Sequence, residues 1–366
     1  MSSARRDPQI FEFNPKAPDP ITSVRRNKHG EQPSGVTMQP IHLSMVIGEK
    51  SSGVSTLLQT YAERADTRDT TIIDGPARTW GAEAFVDWLT RHRGSAPTAA
   101  GHIVFAADDL HAPRHLLQAL AEPDLGAAFR LNAVTYAIDA RDPKDKINAA
   151  TACSADRIVL THTDRVRPGA VTKLAKALKA LNPPAPVHRA RHGDIGPARL
   201  VDSGLFDPVD GSIDIDRWLC EAAFGFEASR RGVDAPNLGE VQSTLGRSAV
   251  RHFAVMIDQP LDGAVLSVFL KLLMADSGAD LLRLKGIVAT EDHPDRPALI
   301  DGREHLLQPL LWLETWPTAD RRGRLVFVTG NMSEDWIRTL LATLRDQLKL
   351  QAMPELQRVA REPMAS

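Results

Sequence analysis

Residues 48–56 read GEKSSGVST and follow directly on the apolar run IHLSMVI at 41–47. An apolar strand, a Gly-rich turn and a helix, in that order, form the setting in which G-x-x-x-x-G-K-[ST] cradles phosphates. Gly48 and Gly53 stand at the two glycine positions, and Ser55 stands where a hydroxyl ligates Mg²⁺. Backbone N–H groups would curl around an anion there, helped by the N-terminus of the following helix. Ser51, Ser52 and Thr56 complete the candidate phosphate contacts. The lysine position, however, holds Val54, which neither reaches nor neutralises β- and γ-phosphates. Lys50, inside the turn, is the candidate replacement cation. The segment by itself supports two readings, a phosphate loop without its lysine or a Ser/Gly helix entry.

The bulk of the chain narrows the classes around it. With 366 residues, 43% of them apolar and 25% charged, there is room for two domains with real cores. A net charge of −2 offers no field for nucleic acid or an anionic membrane. Two tyrosines and 11 phenylalanines are too few for an aromatic base-stacking platform. Cys153 and Cys220 are the only cysteines, too few for a thiolate metal cage and consistent with a reducing cytoplasm, the expected location. No stretch reaches the roughly 18 to 20 apolar residues that cross a bilayer. The basic N-terminus has no apolar run behind it and does not read as a secretory signal.

Residues 1–37, rich in Pro, Ser, Lys, Arg and Gly without periodicity, read as a flexible tail. From 38 to 205 short apolar runs alternate with amphipathic stretches. The runs are IHLSMVI, TTII (70–73), HIVFA (102–106), AVTYAID (133–139) and RIVLT (157–161). Helices are expected at 54–65, 82–92, 113–120 and 168–181. This alternation predicts an α/β, doubly wound, mostly parallel sheet. Residues 206–246 read as a connecting region. A smaller α+β unit is expected at 247–350. Its strands are HFAVMID, LLRLKGIVAT, HLLQPLLWLETW and RLVFVTG, with helices at 261–275 and 333–350, and 351–366 form a second tail.

Two further segments carry chemistry. In GHIVFAADDLHAP (101–113), Asp108 and Asp109 follow a strand, where a nucleotide hydrolase places the carboxylate that holds Mg²⁺ or its water. The plainer reading is a helix cap. His111 and His115, four apart, lack a nearby third ligand and read as solvated. In SADRIVLTHTDRV (154–166), Asp164 ends T-H-T-D, which keeps the aspartate of a guanine-reading [NT]-[KQ]-x-D turn. A helix N-cap explains it equally simply.

In order and spacing these segments resemble the CobW family of P-loop GTPases, relatives of the accessory proteins UreG and HypB. VIGEKSSGVSTLL is similar to the family's T-G-F-L-G-A-G-K-T-T-L-L, and IVFAADDLHAP to its E-T-[ST]-G-L-A-D-P. VTYAIDA is similar to a strand ending V-V-D-A, SADRIVLTHTD to A-D-x-I-V-L-N-K-x-D, and ALNPPAPV followed by HGDI to its N-P-x-A segment. LLRLKGIVA, a Trp and RRGRLVFVTG resemble the C-terminal pattern R-x-K-G, W, R-x-x-L-V-F-I-G. The likeness covers most of residues 40–345.

The resemblance implies a P-loop domain followed by a CobW-type C-terminal domain, binding GTP with Mg²⁺. It implies a metallochaperone or metalloenzyme-maturation factor that works on a client metalloenzyme or beside a paralogue. Gly48, Lys50, Ser51, Ser52, Gly53, Val54, Ser55 and Thr56 would lie at the phosphates and Asp164 at the base. Ser55, with Asp108 or Asp109, would face Mg²⁺. The departures weigh against turnover. Val54 replaces the lysine, Ala106 the metal-segment glutamate, and Thr161 and His162 the base-reading Asn and Lys. The family's C-x-C-C motif is absent, so no tightly bound zinc is expected. A pseudo-GTPase serving as a scaffold or partner-binding module is the alternative.

Overall fold

The computed structural model describes residues 10–11, 40–64, 70–73, 82–92, 101–107, 110, 112–141, 147–201, 215–219, 250–276, 280–303 and 306–359. The chain divides into two compact units. The first is Met1–Asn148, Ala155–Lys176 and Pro186–Ser203; the second is Ala149–Ser154, Ala177–Ala185 and Gly204–Ser366.

The first unit holds seven strands: β1 (Ile10–Phe11), β2 (Ile41–Ile47), β3 (Thr70–Ile73), β4 (His102–Ala107), β5 (Phe129–Asp139), β6 (Arg157–Thr161) and β7 (Val187–Arg189). They form one sheet in the order β1-β3-β4-β2-β5-β6-β7, and every pair is parallel. The five expected runs all become strands. Six of the seven residues of β2 are buried, as a central strand covered on both faces requires. β1 lies within the stretch expected to be a tail, where Ile10 and Phe11 pair with Ile72 and Ile73 at the sheet edge.

Helix α1 (Val54–Arg64) follows β2 and buries Val54, Leu57, Leu58 and Tyr61, the three- and four-residue spacing of one face. That face meets Val46, Val104, Val159 and Leu200, each large side chain contributing roughly 1.5–3 kcal/mol of burial. The other helices are α2 (Ala82–His92), α3 (Ala112–Leu120), α4 (Pro123–Ala128), α5 (Ala149–Ser154), α6 (Pro168–Leu181), α7 (Pro197–Val201) and α8 (Ile215–Leu219). Buried hydroxyls fix α7, because Ser44 donates to Val201 O and Thr135 to Leu200 O. Because β2 sends its chain towards β3 while β5 lies on its other side, their carboxyl ends border the crevice where ligands bind such sheets.

The second unit is antiparallel. Strands β8 (Arg251–Ile257), β9 (Leu281–Val288), β10 (Ala298–Arg303), β11 (Leu306–Leu307), β12 (Leu311–Trp312) and β13 (Gly323–Thr329) run in the order β11-β10-β9-β13-β8, with β12 also on β10. Helices α9 (Gly263–Asp276) and α10 (Glu334–Val359) join one face through Phe269, Leu273, Ile337 and Leu341 against Leu284 and Phe327.

Three expectations for this unit change. The stretch HLLQPLLWLETW breaks into two short strands, β11 and β12, on β10, a strand the periodicity hides. Its polar letters Asp301 and Arg303 are buried, Asp301 in an ion pair with Arg283. The connecting region contributes α8, whose Ile215, Trp218 and Leu219 pack on Ile287, Leu299 and Val326. Helix α10 runs on to Val359, into the expected tail. The glycine of R-x-K-G, Gly286, has a reason: a Cβ there would collide with the Leu325 side chain and sit 2.9 Å from Arg324 O.

Two outcomes follow from this packing. Gly286→Ala should destabilise the second unit by about 1–3 kcal/mol, read as a lower urea midpoint. Burial, with the charge of Arg130, pushes His42 down to about 4; burial, opposed by a hydrogen bond with Leu181 O, pushes His252 down to about 4. Between the ordinary value of 6.5 and about 4 the unfolded chain binds more protons than the native one. Stability is therefore lost as pH falls through that window, by up to about 3 kcal/mol per histidine. Urea midpoints unchanged across that range would contradict the neutral burial of both rings.

Candidate functional site

The turn after β2 emerges between β4 and β5. The Gly48 N–H donates to Ala107 O at 3.2 Å, and the Ser52 N–H donates to Glu49 O at 2.9 Å. The Leu57 N–H donates to Gly53 O at 3.0 Å and starts α1. Ser51 (φ 71°) and Gly53 (φ 85°) are left-handed on either side of Ser52, the kind of turn that gathers backbone N–H groups into an anion nest. Gly48 admits no side chain, since a Cβ would collide with Ser52 Oγ and Ala137 O.

Val54 does not face an anion. It is 6% exposed and packs with Leu57, Leu58, Ala137 and Val159 in the core between α1 and the sheet. Lys50 is exposed on the turn, Ser55 is half-buried and Thr56 is exposed. Ser52 is 3% exposed and its hydroxyl has no hydrogen-bond partner. Glu49 adds a carboxylate next to the turn. Burial first, then the charge of Glu49, push Tyr136 up to about 12 against a hydrogen bond with the Asn148 backbone. Asp108, Asp109 and His111 lie outside the described residues, and His115 is exposed.

The other half of the site comes from the ends of β5 and β6. Their parallel register places Asp139 opposite Thr161. The Thr161 hydroxyl donates to Ser52 O at 2.7 Å, tying the end of β6 to the turn. His162 has φ 51°, and its Nδ1 lies 3.2 Å from Thr161 Oγ1 and 3.3 Å from Asp139 Oδ1. Its Cε1 would be 3.3 Å from a Cβ on Gly53. Asp139 is gripped by Arg141, with Nε to Oδ1 at 3.0 Å and Nη2 to Oδ2 at 2.6 Å. Partial desolvation opposes ionisation of Asp139. The Arg141 hydrogen bonds and the nearby His162 and Arg141 charges outweigh it and lower the carboxyl below its usual range.

Asp164 sits at the same edge, its Oδ2 3.7 Å from both His192 Nε2 and Arg165 Nε. Desolvation works against this carboxylate too, yet backbone N–H groups of Asp164 and His192 and the charges of His192 and Arg165 lower it. His192 (φ 49°) and Gly193 (φ 76°) turn the chain against Thr56 and Thr60 of α1, and Asp194 pairs with Arg64. The structure thus gathers the expected residues 48–56 and Asp164 at one edge. It adds Asp139, Arg141, Thr161, His162 and His192. His192 reads from sequence as an ordinary surface histidine; only the H-G-D turn hints at it.

The backbone of this site fits a phosphoryl anion, while its side chains do not supply the cation such a group requires. Among the described residues no three His, Cys, Asp or Glu side chains converge as a metal site.

Comparison with known proteins agrees with this frame. Residues 250–345 match the cobalamin synthesis protein cobW C-terminal domain. The zinc chaperone YjiA of Escherichia coli (strain K12) is 26% identical over 222 residues, 59% of this chain. That match spans 62% of YjiA's own length. The crystal structure of Zn(II)-bound YjiA GTPase from E. coli superposes with a TM-score of 0.53 at 20% identity, over 84% of this chain and 100% of that one. A Zn(II)-bound triple mutant of YjiA GTPase gives a TM-score of 0.52 at 20% identity, with the same coverage. At that identity the two structures speak for the fold. With a phosphate-loop turn on a parallel sheet and a cobW C-terminal domain behind it, the chain belongs to the CobW family of P-loop proteins.

Proposed function

We propose that this protein binds GTP as a CobW-type metallochaperone or metalloenzyme-maturation factor, with weak or absent hydrolysis. The observation that carries the reading is a loop with the register and closure of a phosphate site whose lysine position, Val54, is packed into the core. The turn from Gly48 to Gly53 and the first turn of α1 would hold the phosphates. Ser55 would face Mg²⁺ with Asp108 or Asp109, and Asp164 would receive the base. The names of the similar proteins, a zinc chaperone and a Zn(II)-bound GTPase, support the metal side of the reading.

Charge decides how far the reading extends to turnover. A lost electrostatic donor costs about 10²- to 10³-fold in rate in comparable sites. Here Glu49 offsets Lys50, and Arg141 is spent on Asp139. Nucleotide held by backbone N–H groups survives such a loss better than hydrolysis does. The buried Val54 also favours a second reading, a pseudo-GTPase that keeps the fold as a scaffold for a client metalloenzyme or a paralogue in the cytoplasm.

Titration with a fluorescent GTP analogue, with and without Mg²⁺, separates the two. Weak binding that Val54→Lys tightens by about tenfold or more is expected if the site still takes nucleotide. Tight Mg²⁺-dependent binding by the unmutated chain would rule out the pseudo-GTPase. No binding in either chain would remove GTP from the function. In a chain without C-x-C-C, metal analysis of the purified protein should find only sub-stoichiometric zinc; a full equivalent would contradict that expectation.

A further inference from the structure

A phosphate site without its lysine needs positive charge from elsewhere, and the surrounding side chains narrow the source. Val54 is in the core, Lys50 stands exposed on the turn beside Glu49, and both Nε and Nη2 of Arg141 are engaged with Asp139. The remaining side chain against the loop that can become a cation is His162, whose Cε1 abuts Gly53, where α1 begins.

Its hydrogen bonds fix which nitrogen titrates. Thr161 has one hydroxyl hydrogen, and its short bond to Ser52 O, 2.7 Å, uses it. Thr161 Oγ1 therefore faces His162 Nδ1 as an acceptor, and so does Asp139 Oδ1. Two acceptors around Nδ1 place a proton there in both charge states, leaving Nε2 as the atom that gains or loses one. A carboxylate at 3.3 Å favours the imidazolium. Asp139 and Arg141 face the ring from the end of β5, and Asp164 and Arg165 share its own turn. Glu49 and Lys50 are the charges on the phosphate loop, and His192 lies beyond Asp164.

We propose that His162, protonated and held by Asp139, is the side-chain cation of the phosphate loop, so that this site takes a nucleoside polyphosphate more tightly as pH falls. The inference rests on the nucleotide-binding reading and adds the residue and the condition that control it. His162 acts here as a ligand-facing charge, and Asp139 and Thr161 as the residues that position it.

The test measures the affinity of methylanthraniloyl-labelled GTP at about pH 6 and about pH 8, where imidazoles change charge. It uses the full chain, His162→Gln and His162→Lys, each with a urea midpoint to confirm folding. The unmutated protein should bind about tenfold more tightly at the lower pH. His162→Gln should be weak and flat across that range, and His162→Lys tight and flat. Protonation of the nucleotide's terminal phosphate at the lower pH works against binding, so tightening there reports the protein. Binding that is flat with pH in the unmutated chain, or a His162→Gln chain that keeps the pH difference, overturns the role of His162 alone. Absence of binding in all three chains at both pH values overturns it together with the nucleotide reading.

Discussion

The hydrogen bond from the Thr161 hydroxyl to the Ser52 carbonyl joins the two halves of the site. On one side is a turn with left-handed residues at Ser51 and Gly53; on the other is the edge formed by Asp139, Arg141 and His162. The bond forms between protein groups alone, so the turn is held in shape without a ligand to organise it. A hydrogen bond of this kind contributes about 1 kcal/mol net, but leaving a buried carbonyl unsatisfied would cost more. The same constraint holds His162 against Gly53, because the ring follows directly on Thr161 in the chain.

Much of the frame was legible from residue order. Runs such as IHLSMVI and RIVLT are apolar on successive positions because both faces of the parallel sheet are covered, and each became a strand. β10 was not legible, because Asp301 and Arg303 look like surface residues until the pairing with β9 shows Asp301 buried beside Arg283. Helix α8 was hidden in charged sequence, and only its contacts reveal Trp218 as a core residue. Short elements with two or three residues, such as β7 and β12, leave no period to detect.

The site divides in the same way. The register of Gly48, Gly53 and Ser55 is written in local spacing, so the loop could be placed from the sequence. The inward packing of Val54 depends on Ala137 and Val159, more than 80 residues away, and spacing carries no trace of it. Asp139 meets His162 only because β5 and β6 pair with Asp139 opposite Thr161. In this light the departures from the family pattern are physically linked. A valine under the loop, a threonine tying it and an imidazole beside it form one packed arrangement, whereas the sequence shows them as separate losses.

The central claim is that this loop keeps the form of a phosphate site while lacking the fixed charge that drives phosphoryl transfer. The most direct measurement is phosphate release from GTP under single-turnover conditions, with protein in excess and Mg²⁺ present. The account predicts a rate indistinguishable from GTP in buffer. Release accelerated over that control, and abolished by a substitution at Ser55, would contradict it.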